Sequence, residues 1–189
     1  VWSVHEDAAG TLWVGTFTGG VNVSTPNSGA IRHYHAVPGD PASLGFNTVR
    51  AFAESRPGAY WVATDGGGLN EFDASTGRFA HYTTHTSNLN SDAVLDVVQD
   101  HEGTTWLGSW EGGVSRFDRA TRSFTAFTSK NAGLGDDNVF ALHVDGSGAL
   151  WAGTQKHGVY RFDRARQRFV SVITAEQLVG QLPRTETSV

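Results

Sequence analysis

A tryptophan-centred segment recurs four times along the 189-residue chain at an almost constant interval, and its clearest copy is TTWLGSWEGGVSRFD at residues 104–118. The repeated tryptophans are Trp13, Trp61, Trp106 and Trp151, separated by 48, 45 and 45 residues. A valine stands twelve residues before each tryptophan and a glycine seven residues after it. Such self-similarity at a period of about 20–50 residues is the sequence signature of a repeat architecture.

Each repeat divides into four short segments with strand character, separated by turn signals. In the third repeat these segments are AVLDVVQD, TTWLGS, GGVSRFD and SFTAFT. An Asp-x-x-Gly turn joins the first two strands in three repeats, because Asp accepts backbone N–H bonds and Gly supplies a positive φ. These turns begin at Asp7, Asp100 and Asp145. In the second repeat we expect Glu54 or Ser55 to take the place of the aspartate before Gly58.

The predicted class is all-β. A single four-stranded antiparallel sheet has two faces and cannot bury both, whereas face-to-face stacking of similar sheets buries them, and a period of about 45 residues suits the blades of a propeller. We therefore predict a β-propeller fragment of four four-stranded antiparallel blades, part of a larger propeller. The four repeated tryptophans are expected to lie between adjacent sheets as structural core.

The repeated segments resemble a known family. VWSVHEDAAGTLWVGTFTGGV and VLDVVQDHEGTTWLGSWEGGVSRFD are similar to the two-component regulator propeller repeat, over essentially the whole chain. The pattern departs at Ser24 and Thr25, which replace Phe-Asp, at Ala63 and at His157. The resemblance implies a periplasmic propeller in the sensor half of a hybrid histidine kinase. In that family the sensor half is thought to detect carbohydrates or their breakdown products.

The repeat boundaries are predicted at residues 1–48, 49–93, 94–138 and 139–183, and residues 184–189 align with the start of a further, truncated blade. A chain without an initiator methionine or a secretory signal is expected to be an excised or processed piece. Three arrangements of its ends remain open: closure into four blades, pairing of two copies into one ring as a homodimer, or an open arc.

Charge and composition narrow the function classes. The formal charge of −5 argues against nucleic acid as a partner, and no apolar run is long enough to cross a bilayer, so membrane attachment is expected only through a parent chain. Ten of the fourteen basic residues lie from Arg116 onward, and several occupy matching points of two repeats, where we expect a solvated turn face. These are Arg116, Arg119, Arg122, Arg161, Arg164, Arg166 and Arg168.

No catalytic or metal constellation stands out, and no cofactor is implied. The chain has no cysteine, and its eight histidines have no diagnostic spacing for a metal. The enzymatic rival is a glycoside hydrolase or lyase propeller, because QDHEGTTW resembles the Asp-box of sialidases. Asp100 and Trp106, however, are six residues apart, whereas the corresponding residues of that motif are five apart. Among the carboxylates that do not recur with the repeat, no pair stands out as a catalytic acid and base. Catalysis is therefore not predicted.

Ligand binding is the function class that remains. In a blade of this kind the loops between the second and third strands share a face with the linkers between blades, and residues there vary as recognition loops do. Candidate ligand-binding residues are Phe17, Asp65, Trp110, Glu111, Lys156 and His157. Trp110 lies outside the repeated tryptophan position, so it suits either stacking on a sugar or covering the rim of the next blade. We predict a ligand-sensing or signal-relaying input domain with an oligosaccharide ligand; the alternative is a non-catalytic protein-interaction scaffold.

Overall fold

The computed structural model describes residues 1–26, 29–174 and 176–177, which form sixteen strands in four four-stranded antiparallel sheets. In each sheet the strands lie in chain order, so the predicted all-β class and four-blade organisation are confirmed. The predicted start of a further repeat at residues 184–189 lies outside the described residues.

The strand bounds follow the repeat. The first sheet contains β1 (Ser3–Glu6), β2 (Leu12–Gly15), β3 (Val21–Ser24) and β4 (Ile31–Tyr34). The second contains β5 (Val49–Arg56), β6 (Ala59–Thr64), β7 (Gly68–Asp73) and β8 (Arg78–Tyr82). The third contains β9 (Val94–Gln99), β10 (Thr105–Ser109), β11 (Gly113–Asp118) and β12 (Ser123–Phe127). The fourth contains β13 (Val139–Val144), β14 (Leu150–Thr154), β15 (Val159–Asp163) and β16 (Arg168–Ile173).

Three buried clusters hold consecutive sheets together, one at each of the three interfaces. Neighbouring sheets also contact each other through their first strands, β1 with β5, β5 with β9 and β9 with β13, which is the arrangement of inner strands in a propeller. Within the described residues no buried cluster joins the fourth sheet to the first. The second strands β6 and β10 are buried along their full length because sheets cover both of their faces.

The repeated tryptophans lie on the side of each sheet that faces the next one. Trp13, Trp61 and Trp106 are 3%, 0% and 1% exposed. At each interface the indole contacts a phenylalanine of the following sheet, with ring centroids 4.9–5.5 Å apart. These phenylalanines are Phe72, Phe117 and Phe162. Trp151 has no following sheet within the described residues and is partly exposed.

The glycine seven residues after each tryptophan is required by the backbone. Gly113 has a φ of 69°, and a Cβ at that position would clash with the carbonyl oxygen of Phe127 on the outer strand. Gly20, Gly68 and Gly158 also have a positive φ, of 70°, 69° and 88°, and make the same kind of contact. A left-handed conformation and a close backbone approach both favour glycine, which explains why this residue recurs in every repeat.

The Asp-x-x-Gly turns form as the sequence predicts. Oδ1 of Asp100 accepts hydrogen bonds from the N–H groups of Glu102 and Thr104, and Oδ2 accepts one from the Trp106 indole at 2.9 Å. The turns at Asp7 and Asp145 repeat this pattern. One carboxylate therefore closes the turn and also holds the indole that lies between the sheets.

The expectation for the second repeat is wrong. The β5–β6 pairing continues to Arg56 and Ala59, so Pro57 and Gly58 alone make the turn, and Gly58 supplies a φ of 76°. The Ser55 hydroxyl instead donates to Glu71 at 2.7 Å across the sheet. A two-residue hairpin turn needs no capping carboxylate, which removes the role that we expected Glu54 or Ser55 to fill.

Two of the clustered arginines, which were expected to form a solvated turn face, also make contacts between sheets. Arg119 of the third sheet donates to Ser55 and Glu71 of the second, and Arg164 of the fourth donates to Asp100 and Glu102 of the third. Their side chains remain 48% and 40% exposed. They are partly solvated groups that join one sheet to the next.

Candidate functional site

A cavity of about 410 Å³ lies where the inner strands of the sheets approach one another, and it is lined by Trp2, Arg50, Leu95, Asp96 and Phe140. We call it the inner-strand cavity. Four of these residues occupy the same place in the repeat, directly after the valine that begins each inner strand. Each sheet therefore contributes one side chain from an equivalent position. The volume is in the range of small-molecule sites in proteins, about 300–1,000 Å³.

Aromatic rings extend the inner-strand cavity toward the loops between second and third strands. The ring of Phe17 lies 4.8 Å from that of Trp2, and the ring of Trp110 lies 5.7 Å from that of Phe140. The four side chains are 37–55% exposed, so a substantial part of each ring faces solvent. The Arg50 guanidinium lies over the Trp2 ring, 4.1 Å from its centroid, in a cation–π contact.

Asp96 supplies a carboxylate beside these rings. Its Oδ2 accepts a hydrogen bond from the Leu142 N–H of the neighbouring sheet at 2.7 Å, and its Oδ1 accepts one from Val97. Burial raises the pKa of Asp96 above its ordinary value, although both hydrogen bonds and the charge of Arg50 act in the opposite direction. The carboxylate therefore ties the inner strands of the third and fourth sheets together at the edge of the cavity.

The arrangement is suited to binding. Exposed aromatic faces stack against the apolar faces of ring-shaped ligands, and the polar groups of Arg50 and Asp96 are able to hydrogen-bond hydroxyl groups at the same place. Among the described residues, no group of three histidine, aspartate or glutamate side chains is placed to hold a metal ion. In the same part of the chain, no helix has the length and apolar character needed to cross a membrane.

Two residues that the sequence analysis singled out, Phe17 and Trp110, flank the inner-strand cavity. Trp110 covers Phe140 of the next sheet, and 37% of its surface remains exposed, so stacking of Trp110 on a sugar stays a prediction. Glu111 follows it with a φ of 56°, but its side chain lines a different cavity of about 460 Å³, together with Asn90 and Lys130.

The other predicted residues are not brought into the inner-strand cavity. Asp65 pairs with Ala93 in an isolated bridge, and its N–H donates to the Thr48 carbonyl oxygen. Lys156 and His157 are exposed on the fourth sheet, where the Lys156 N–H donates to Asp136. The His157 Nδ1 lies 3.9 Å from the same carboxylate. The six predicted residues therefore do not form one site.

Sequence reasoning missed Trp2, Arg50, Leu95 and Phe140. A signal was available: each follows the repeated valine, and the four side chains differ while the valine before them is constant. On the innermost strands such variable positions of several blades lie around one cavity.

Comparison with known proteins agrees with the repeat pattern. The family model described as "Two component regulator propeller" matches residues 1–18. No curated protein matches the chain. Among solved structures, the extracellular domain of a hybrid two component system from B. thetaiotaomicron is 26% identical, with a TM-score of 0.77 over 88% of this chain and 22% of that one. The chain thus spans about a fifth of the length of that relative.

Two further solved structures share the fold at lower sequence identity. The extracellular domain of a second hybrid two component system from B. thetaiotaomicron is 22% identical, with a TM-score of 0.76 over 92% of this chain and 24% of that one. Virginiamycin B lyase from Staphylococcus aureus is 12% identical, with a TM-score of 0.68 over 91% of this chain and 55% of that one, and shows the shared fold alone. The resemblance seen in the sequence is confirmed at residues 1–18, which match the two component regulator propeller model, and the four sheets share the fold of the extracellular domain of a hybrid two component system.

Proposed function

We infer that this chain is part of the extracytoplasmic, periplasmic input domain of a two-component sensor and that it binds a saccharide in the inner-strand cavity. The observation that carries the proposal is the set of exposed rings around one cavity, Trp2 and Phe17 on one side and Phe140 and Trp110 on the other. The similarity to extracellular domains of two component systems supports the sensor role.

The side chains that line the inner-strand cavity indicate the chemical class of the ligand. Sugar rings present apolar C–H faces for stacking and hydroxyl groups for hydrogen bonds, and the inner-strand cavity offers indole and phenyl faces beside a guanidinium and a carboxylate. Arg50 and Asp96 carry opposite charges at the same cavity, which favours a neutral saccharide over a strongly charged one. Because residues of all four sheets line the cavity, a bound ligand would influence how the sheets are placed relative to one another.

Isothermal titration with neutral hexasaccharides tests the proposal, with cellohexaose, xylohexaose, mannohexaose and maltohexaose as probes. We expect saturable binding of at least one probe and a loss of at least about tenfold in affinity for Trp110→Ala, which corresponds to about 1.4 kcal/mol. Phe46→Ala is the matched control, because that ring is 43% exposed but lines a different cavity.

The outcomes separate two classes of function. Binding that is lost in Trp110→Ala and kept in Phe46→Ala, with both variants folded, supports saccharide sensing at the inner-strand cavity. Binding that is unaffected by Trp110→Ala moves the site elsewhere and overturns the assignment. No binding across the probes overturns the saccharide proposal and favours the alternative of a protein-interaction scaffold.

A further inference from the structure

The linker between the first and second sheets is longer than the two linkers that follow it. It contains the fourteen residues 35–48, whereas the next two contain the eleven residues 83–93 and 128–138. The hydrogen bonds that fix its ends recur in the linker between the third and fourth sheets, so the three extra residues lie between these bonds, within residues 37–41. The recurring bonds are Ala36 N–H to Asn47 and Phe79 N–H to Ala42 in the first linker, and Ser129 N–H to Asp137 and Phe169 N–H to Ala132 in the third.

Residues 37–41 are held in one shape by hydrogen bonds within the linker. The Val37 N–H donates to Oγ of Ser43 at 2.9 Å, and the Ser43 hydroxyl donates to the Asp40 carbonyl oxygen at 2.9 Å. The Ser43 carbonyl oxygen also lies 2.7 Å from Nε2 of His81 on β8, which connects the linker to the second sheet. A preformed loop loses less conformational entropy when it binds a ligand, so this segment is suited to line a binding site.

Phe46, in the same linker, occupies a position where the other linkers have a side chain that closes a turn. The equivalent residues Ser91 and Asp136 each accept the backbone N–H two residues further on, at 3.2 and 3.0 Å. A phenylalanine cannot accept this bond, and its ring lies instead over the turn between β6 and β7, where a Cβ on Gly66 would come within 3.2 Å of it. The ring nevertheless remains 43% exposed. A side chain that breaks the local rule of its turn and stays exposed is a candidate for contact with another molecule.

The extra residues and Phe46 line one cavity of about 530 Å³, which we call the linker cavity. The longer segment contributes Val37, Pro38 and Asp40 to its lining. Val37 is 42% exposed, so the cavity has an open apolar wall on both the segment and the turn. Among the described residues that line the linker cavity, Asp40 carries a carboxylate and none is a lysine or an arginine. The volume is in the range of small-molecule sites, about 300–1,000 Å³, and the lining combines apolar surface with a negative charge.

We propose that the linker cavity binds an organic cation, an ammonium group carried on an apolar body. The Phe46 ring and the Val37 side chain provide the contact for the body, and the Asp40 carboxylate provides the partner for the ammonium group. The same carboxylate would repel an anionic ligand. The inner-strand cavity has both a guanidinium and a carboxylate, from Arg50 and Asp96, so the two cavities differ in the charge that they favour. The proposal is independent of the saccharide assignment.

Three indole compounds that differ in charge test the ligand class by isothermal titration at pH 7. Tryptamine carries an ammonium group, tryptophol a neutral hydroxyl group and indole-3-acetate a carboxylate on the same ring system. We expect tryptamine to bind at least about fivefold more tightly than tryptophol, which corresponds to about 1 kcal/mol, and indole-3-acetate to bind most weakly. Equal affinity for tryptamine and tryptophol, or no binding of tryptamine, would overturn the proposal.

Single substitutions separate the charge from the apolar contact. Asp40→Asn removes the charge but keeps the Oδ1 atom that accepts the Ala42 N–H at 2.9 Å, so the loop retains its shape. It should lower the affinity for tryptamine by at least about fivefold and leave that for tryptophol unchanged. Phe46→Ala should weaken both. Glu111→Gln is the matched control for net charge, because Glu111 lines a different cavity, and it should change neither.

A loop exchange tests the origin of the site without relying on a single side chain. Residues 37–41 are replaced by His-Thr, the sequence of residues 85–86 in the shorter second linker, which leaves the bonds of Ala36 and Ala42 in place. We expect a folded protein, checked by circular dichroism and urea unfolding, that has lost tryptamine binding. Tryptamine binding as tight as in the unmodified protein, in the loop exchange or in Asp40→Asn, would place the ligand elsewhere and overturn the proposal.

Discussion

Arg164 of the fourth sheet donates to Asp100 of the third at 2.8 Å, across 64 residues of sequence. The Asp100 side chain is fully buried, and the same oxygen accepts the Trp106 indole N–H. Burial acts to raise the pKa of Asp100, but the hydrogen bonds from Trp106, Thr104, Arg164 and Glu102 outweigh it and lower the pKa. One carboxylate thereby connects a turn, the core indole and the next blade.

Replacing Asp100 by alanine should lower the free energy of unfolding by about 3 kcal/mol, because it leaves the buried Trp106 indole without its acceptor and removes one of the two carboxylates to which Arg164 donates. Asp145→Ala is the matched control, since this residue holds the same turn and the same indole but receives no donor from another sheet within the described residues. Urea unfolding measures both changes. Equal losses for the two variants would contradict the role assigned to the connection with Arg164.

The repeated tryptophans should differ in their contribution to stability according to whether a sheet covers them. Trp106→Ala is expected to cost about 3–5 kcal/mol, because the indole is 1% exposed and lies against Phe162. Trp151→Ala should cost clearly less, because its outer side is open. Chemical unfolding of the two variants compares them directly, and a loss for Trp151→Ala as large as that for Trp106→Ala would show that its outer face is covered.

Two glycines that both have a positive φ should differ in how well they tolerate replacement by alanine. Gly103→Ala, with a φ of 80° and open space around its Cβ, should cost about 1–2 kcal/mol from the backbone conformation alone. Gly113→Ala should cost more, because its Cβ would also clash with the Phe127 carbonyl oxygen. Thermal unfolding monitored by circular dichroism ranks the two; similar losses would argue against close approach of the outer strand as the reason for this glycine.

The stabilisation from Asp100 should disappear in acid. Its pKa in the folded state lies below the ordinary value of about 3.9, so the contribution is fully present above that pH and is lost as the pH falls through the folded pKa. The difference in unfolding free energy between the wild type and Asp100→Asn should therefore shrink below about pH 4. For Leu107→Ala, a fully buried apolar change, the difference should stay constant; a constant difference for Asp100→Asn would contradict the account.

The period of the sequence predicted the four sheets because each constant residue has a local reason: a turn carboxylate, a positive φ or an indole between sheets. The hairpin at Gly58 was assigned wrongly because Pro57 and Gly58 form a shorter turn than the other repeats use. The roles of Arg119 and Arg164 were missed because their acceptors lie 48–64 residues away in the preceding repeat.

The candidate site was predicted only in part, because it also depends on contacts between residues of different repeats. Trp110 and Phe17 stood out as aromatic residues in variable loops, but each ring has a partner on an inner strand, Phe140 and Trp2. No local motif marks those partners. They come together only when the inner strands of successive sheets converge, which depends on packing between repeats and not on the pattern within one of them.

NMR of the tryptophan indole N–H groups during titration with the best-binding hexasaccharide tests the proposed site most directly. Four of the six indoles are held by hydrogen bonds within and between the blades, those of Trp13, Trp61, Trp106 and Trp151. The proposed function predicts that the signals of Trp2 and Trp110 shift in a saturable way while these four stay in place. Shifts confined to the four blade indoles, or no shift of Trp2 and Trp110 at saturation, would contradict binding in the inner-strand cavity.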